Sequence, residues 1–368
     1  MKLLKILIIS FCFFVSLNTA NAEVDINAIP EEYQLNLYSA KIIEIKDTLV
    51  SGDIRTQIAE IKILNKDLKG QIFEVRNDLT GNEIYDVILK ENRKISVHIE
   101  EKDNELNAYV VGYERSGSLF QILLIFVILL FLIGGFKGLK AIISLAITIF
   151  LILFLLVPLL LNGYNPIAVS VLTCTLASII TFLIISGYNK KTASAIIGTV
   201  GGLLIGGLIA YFYGTSAKLT GFSSSDAQML LYLPNQIAID FRGLLFAGII
   251  IGALGACMDV SISIASALSE IQKENPTISI KKLMKSGFNI GKDIMGTMIN
   301  TLILAYTGGS ITTMLVFIGF EKQFNEIINL DSIATEILRA LTGSIGLLFA
   351  IPITVFAYTL ITKRRKNA

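Results

Sequence analysis

GALGACMDVSISIAS, residues 252–266, lies within an apolar run at 243–269 that reads as a membrane-crossing helix except at its eighth position, Asp259. About 20 apolar residues span the hydrocarbon core as a helix, and an unpaired backbone polar group there costs several kcal/mol, so helices are expected. The reading repeats outward from this run. After Ser116-Gly117-Ser118, spans are expected at 119–135, 140–161, 167–186, 193–213, 243–269, 293–318 and 336–361. Strand-period alternation is missing from this region, which argues against an outer-membrane barrel. With 53% hydrophobic residues among 368, the chain reads as a polytopic α-helical membrane protein of about seven spans.

The first 22 residues have Lys2 and Lys5, an apolar stretch to Leu17 and the small-x-small triplet Ala20-Asn21-Ala22, the pattern of a signal peptide cleaved after Ala22. A retained signal anchor would export the next region just the same. Residues 23–116 hold 19 Asp/Glu against 12 Lys/Arg. They carry five alternating runs, SAKIIEIKD, RTQIAEIKIL, QIFEVRND, KISVHIEE and NAYVVGYE, separated by turn signals. TGNEIYDVILKEN, 80–92, is expected to add a helix between the third and fourth strands. Five strands so arranged suggest an exported β-rich domain of the OB type. Its acidic balance makes it a poor nucleic-acid platform, so no nucleic acid is expected as a partner. The remainder, 117–368, is the helical membrane domain.

An exported amino-terminal domain followed by seven spans puts the carboxyl terminus inside. Of the 17 Lys/Arg residues after 116, 13 then fall in cytoplasmic segments, and only Lys218, Arg242, Lys322 and Arg339 fall outside. This is the positive-inside asymmetry, and it supports a topology with 23–116 extracytoplasmic. Lys281, Lys282 and Lys285, with Lys273 and Lys292, read as topology determinants that touch anionic lipid. The segment 214–242 contains MLLYLPNQIAI, too short to span and interrupted by Pro234; a surface-lying or re-entrant path is expected there. Cys12, Cys174 and Cys257 all lie in apolar runs, which suggests no disulfide framework. His98 is the only histidine, so neither a multi-histidine metal site nor any cofactor is expected.

At 3.6 residues per turn, Gly248, Gly252, Gly255, Asp259, Ser263, Ser266 and Glu270 share one face of the fifth span. The sixth span repeats the pattern in Asn289, Asp293, Thr297, Asn300, Leu304 and Thr307, with Gly296 and Thr301 beside them. The fourth carries Gly198, Gly202, Gly206 and Ala210, a small-residue run that lets helix backbones approach closely, and the third adds Ser170, Cys174, Ala177 and Thr181. These faces are expected to meet one another as a polar seam between spans five and six, with the Leu/Ile/Phe faces toward lipid. Asp259 would then pair with Thr297, Asn300, Ser263 or Lys292. A bare carboxylate at that depth costs at least several kcal/mol, so it is a neutral strut fixing helix register or part of a wetted pathway. Asp293 is expected to cap the first turn of span six, where a carboxylate suits the positive helix end. Arg339, one turn into span seven, would snorkel outward or pair with Glu336.

GDIRTQ at 52–57, GALGACMDVSISIASALSEI at 252–271 and SGFNIGKDIMGTMINTLILAYTGGS at 286–310, in this order, resemble the bacterial YibE/F-like membrane proteins. The resemblance covers most of the chain and is strongest from about 240 to 360. It implies a multi-pass plasma-membrane protein with an exported amino-terminal region, and it implies no reaction. Positions that resemble the family's most distinctive stretch are Gly252, Gly255, Asp259, Ser263, Asp293, Gly296, Thr297, Asn300 and Thr301. Cys257 stands where an aliphatic residue is expected, a small hydrophobe in place of another.

Three classes of function fit these residues. A transporter or permease would use the intramembrane carboxylate flanked by glycine-rich helices as its coupling site for a small solute or ion. A noncatalytic envelope assembly or accessory protein would bind a partner through the exported domain and use the bundle as an anchor. An intramembrane hydrolase would need two carboxyl groups sharing a site, for which Asp259 and Asp293 are the only pair, and a serine enzyme would lack a membrane histidine; no catalysis is expected. Transport in the bilayer leads, and the sequence leaves substrate and oligomeric state open.

Overall fold

The computed structural model describes residues 36–51, 54–82, 84–102, 105–232 and 239–366; the expected signal peptide at 1–22 lies outside them. The chain divides into two compact units, residues 23–129 and residues 130–368.

In the first unit, strict alternation makes the strands. Ala59, Ile61 and Ile63 point into the core while Glu60 and Lys62 point out, and two further strands do the same with Tyr38, Ala40, Ile42 and Ile95, Val97, Ile99. The strands are β1 Leu37–Ser51, β2 Ile54–Ile63, β3 Ile72–Leu79, β4 Lys94–Lys102 and β5 Glu105–Tyr113. They pair antiparallel in the order β3-β2-β1-β4-β5. Register irregularities at Ile42/Glu44 and Ile45/Asp47 in β1 and at Ser96/Val97 in β4 bend the sheet. The curl brings the outer strands β3 and β5 into contact, a barrel-like closure. Lys46 ties β1 across two strands, 2.8 Å from both Glu60 and Glu74, and these carboxylates hold its ammonium above the usual lysine range.

The helix expected at 80–92 is not found among the described residues of that segment, which is built of turns and extended chain. Its side chains bind the backbone in turn geometry instead. Asp86 accepts from Thr80 N at 2.8 Å, Thr80 Oγ1 at 3.0 Å and Gly81 N at 2.8 Å, and these donors hold its carboxyl below the ordinary aspartate value. The buried Gln57 amide then receives Leu89 N at 2.8 Å and donates to Leu89 O at 3.3 Å, drawing Leu89 into the core.

The second unit is helical. Helix α1, Ser116–Leu161, is 46 residues long, about 69 Å at 1.5 Å per residue and more than twice the hydrocarbon thickness. It breaks at Gly135, whose backbone (φ 53, ψ −135) lies in a region other residues rarely adopt. The two spans expected at 119–135 and 140–161 are therefore one helical segment with a break between them. Over Ile152–Leu156 the turn widens to π geometry ahead of Pro158, which supplies no N–H to the Phe154 carbonyl.

Helices α2 Pro166–Ser186, α3 Lys190–Ser216, α4 Phe241–Glu274, α5 Ile280–Gly309, α6 Ile311–Gly319 and α7 Asp331–Lys366 follow. Between α3 and α4, Ser225–Met229 is a single turn and Leu230–Tyr232 a 3₁₀ turn; the rest of MLLYLPNQIAI falls mostly outside the described residues. Among the described residues five helices are long and apolar enough to cross a membrane, and six if α5 and α6, bent by 57° across Ser310, count together. The most extensive packing is of α3 against α7, with α4 packed on both and α5 on α7 and α4. The core at their meeting holds Leu203, Ile250, Cys257, Ile264, Leu268 and Leu347. The free thiols of Cys174 and Cys257 are buried in it.

Candidate functional site: the polar stripe of α4 and α5

Helix α4 begins where Asp240 Oδ1 accepts from Gly243 N at 2.8 Å, and stops at Asn275-Pro276. Asp259 is 18 residues from its first residue and 15 from its last, near the middle of the helix. The buried face of α4 is Ile250, Ala253, Cys257, Val260, Ile264 and Leu268. At 100° per residue, the stripe of Gly248, Gly252, Gly255, Asp259, Ser263 and Glu270 lies on the opposite side, and all six are exposed.

Helix α5 starts at the Ser279 cap and buries Leu283, Gly287, Gly291 and Leu302. It leaves Asn289, Asp293, Gly296, Thr297, Asn300, Thr301, Leu304 and Thr307 exposed. The two helices run antiparallel in a register that their close approaches fix. A Cβ on Gly287 would stand 3.1 Å from Leu268, one on Gly291 3.5 Å from Ile264, and one on Gly252 2.5 Å from the Tyr306 hydroxyl. Continuing that register, Asp259 lies level with Gly296 and Thr297, Ser263 with Lys292, and Gly255 with Asn300 and Thr301.

The two stripes therefore do not close on each other as a seam between helices, as the sequence led us to expect. Both point away from the core at matching depth, because the Leu/Ile/Val/Cys face of α4 is what α2, α3 and α7 pack against. Asp259 and Asn300 make no side-chain hydrogen bond among the described residues. Thr297 donates to Ile294 O and Thr301 to Thr297 O, both at 2.9 Å, so their hydroxyl protons are used while lone pairs stay open. Ser263 is exposed beside them.

Asp293 does not cap a helix either. It sits 13 residues into α5, because Gly287 and Gly291 in SGFNIGK carry the helix through where they were read as its approach. A Cβ on Gly287 would meet Val355 at 2.9 Å, so these glycines serve packing against α7.

The glycines divide into two sets. On α3, a Cβ at Gly202 would lie 2.6 Å from Gly346 O and one at Gly206 3.0 Å from Thr342 O, while one at Gly198 would overlap Thr354. On the stripe, Gly248, Gly255 and Gly296 have nothing within 4 Å. Gly252 is the exception, since the Tyr306 phenol fills its space.

Tyr306 is the residue sequence reasoning passed over. With Ile303, Thr307, Glu336, Ala340 and others it lines a cavity of about 220 Å³ between α5, α6 and α7. Glu336 accepts from Arg339 Nη1 at 2.8 Å, and both side chains are roughly 30% exposed, two turns into α7 rather than one, since α7 begins at Asp331. Arg339 Nε, the Tyr306 hydroxyl and Thr335 Oγ1 are buried with no hydrogen-bond partner among the described residues. The signal was present in LAYTGGS, one helical repeat beyond Asn300, but a lone tyrosine at a helix end reads as an interface anchor.

The site offers a carboxyl at the middle of α4 and an amide about two-thirds of the way along α5, flanked by hydroxyls and open glycines. That set can exchange a proton or replace part of a small cation's hydration shell. Asp259 and Asp293 share no hydrogen bond, and no group of three metal-ligating side chains occurs among the described residues.

Residues 122–364 match the family described as YibE/F-like protein, and residues 38–113 match the YibE/F family N-terminal domain. No curated protein and no solved structure matches the chain.

Proposed function

The chain belongs to the YibE/F-like family, and from that premise we propose that it is a membrane permease for a small solute or ion, with the α4/α5 stripe as a wall of its pathway. The observation that carries this reading is Asp259: a carboxyl at mid-helix, exposed, with no hydrogen-bond partner among the described residues, level with Thr297 and one turn from Asn300. On the insertion scale an Asp at the centre of a spanning helix costs about 3 kcal/mol, a cost that water along the stripe offsets and lipid does not. A structural strut would be tied to a neighbouring helix by a hydrogen bond, and Asp259 is not.

In this reading the helices cross the plasma membrane seven times, α1 counting twice about its break at Gly135 and α5 with α6 counting once. The 13 basic residues of the odd-numbered connections and the carboxyl end lie in the cytoplasm, and the barrel-like domain lies outside. Proteoliposomes of the full chain with entrapped pH- and cation-sensitive dyes test it. Asp259→Asn should abolish a flux that the unaltered chain supports while the helix content is unchanged; equal flux would remove Asp259 from the mechanism.

A second reading, an accessory protein that binds an envelope partner, is favoured by the barrel-like domain, where Ile84 and Tyr85 are 83% and 78% exposed beside an exposed Ile88. Co-purification from envelope extract that Ile84→Asp abolishes would support it.

A further inference from the structure

We infer that the exposed stripe of α4 and α5 is a two-fold interface: the same stripe of a second copy of this chain covers it, with that copy's Asn300 and Thr297 facing Asp259. The inference rests on the membrane placement proposed above and not on transport itself.

Hydrocarbon can satisfy neither a carboxyl nor a primary amide, and neither Asp259 nor Asn300 finds a side-chain hydrogen-bond partner among the described residues. Something other than lipid must face them, and three observations favour a second copy, with the water of the pathway enclosed between the two stripes. First, an isologous contact must be self-complementary, and this one surface carries both parts. It has carboxyl oxygens on Asp259, amide donors on Asn300 and hydroxyl lone pairs on Thr297 and Thr301, whose protons are already given to Ile294 O and Thr297 O. Second, the register of α4 and α5 sets these groups within about one turn of the same depth. A two-fold axis along the membrane normal preserves depth, so a second copy delivers each group to the level where its complement waits. Third, where α3 and α5 approach α7 closely, glycine admits the neighbour, as at Gly202, Gly206 and Gly287. On the stripe, Gly248, Gly255 and Gly296 leave the same space with nothing among the described residues within 4 Å to fill it. The pathway wall is thus half of a site, and the partner copy supplies the other half.

Disulfide trapping of the full chain in membranes tests this. In a background with Cys12, Cys174 and Cys257 replaced by Ala, single cysteines are placed at Gly255 and Ser263 on the stripe and, as a control, at Leu208 on α3, which is exposed away from it. Mild oxidation should give a covalent dimer at Gly255→Cys and Ser263→Cys in at least about tenfold greater yield than at Leu208→Cys, since thiols held in contact meet at high effective concentration. If the cysteine variants do not accumulate, subunit counting by photobleaching of the labelled, otherwise unaltered chain in bilayers replaces them, with two steps expected. Dimer yields at the stripe no higher than at Leu208, adducts with a different protein, or single-step bleaching would each overturn the inference. Flux that persists in a monomer would sink this inference and leave the permease reading standing; a trapped dimer without flux would do the reverse.

Discussion

Replacing Gly202 and Gly255 by Ala, one at a time, should move stability in opposite directions, although both are helical glycines in apolar surroundings. At Gly202 the new methyl would lie 2.6 Å from Gly346 O and 2.9 Å from Ala350 Cβ. Ordinary contact begins near 3.4 Å, so α3 and α7 must part locally by close to an ångström. A gap of that size forfeits about a quarter to a half of each pairwise attraction along the most closely packed seam of the bundle, and overpacking of this kind costs about 2 kcal/mol. At Gly255 a methyl meets nothing within 4 Å, so it adds only the helix preference of Ala over Gly, a gain of at most about 1 kcal/mol. The assay is reversible unfolding of the full chain at high detergent-to-protein ratio, where each micelle holds one copy, followed by circular dichroism. Gly202→Ala should lower the midpoint and Gly255→Ala should hold or raise it. Equal losses at both positions would refute the packing argument, because Gly255 would then have a neighbour that the structure does not contain.

Arg339→Gln strands the Glu336 carboxylate, and with both side chains about a third exposed the loss should fall between surface and buried pairs, about 2 kcal/mol; adding Glu336→Gln should recover most of it in a double-mutant cycle. In the barrel-like domain, Gln57→Ala removes both hydrogen bonds to Leu89, leaving a buried N–H unpaired at a cost of about 1–3 kcal/mol, and hydrogen exchange at the Leu89 amide should accelerate accordingly. Asp86 has a folded-state value below its unfolded one, so its anchoring of Thr80 and Gly81 is fully present above the ordinary aspartate value and is lost as pH falls through the depressed one. Amide exchange of Thr80 and Gly81, corrected for intrinsic rates, should therefore show protection at pH 6 that disappears in strong acid, and the same acid loss in an Asp86→Asn variant would contradict the assignment.

The strands were legible because one face is buried and the other wet, so Ala59, Ile61 and Ile63 alternate with Glu60 and Lys62 without exception. Helix existence was legible for the same kind of reason, and the α4 and α5 stripes were found at their proper spacing. Direction was not. In water a polar stripe faces solvent and the apolar face makes the core; within a membrane we expected the inversion, polar inside, yet the α4 core is Ile250, Val260 and Ile264, with the carboxyl outside. Periodicity identifies a face but not what lies against it. Glycine misled in a related way. Gly287 and Gly291 looked like the end of a loop before span six, whereas contact with Val355 and Ile351 keeps them helical. The segment 80–92 had the composition of a helix, but Asp86 and Asn82 bond their own backbone nearby, a preference that only the folded chain reveals.

The central claim is that the α4/α5 stripe is wetted at mid-membrane, and thiol accessibility measures it without knowledge of a substrate. Cysteines placed singly at Gly248, Gly252, Gly255, Asp259 and Ser263, and at the α4 core positions Val260 and Ile264 as controls, are exposed in intact cells to a charged, membrane-impermeant reagent. The account predicts labelling at the five stripe positions through the middle of the helix and none at Val260 or Ile264. Labelling confined to the ends of α4, with positions 255 and 259 silent, would mean that the stripe is dry and would contradict it.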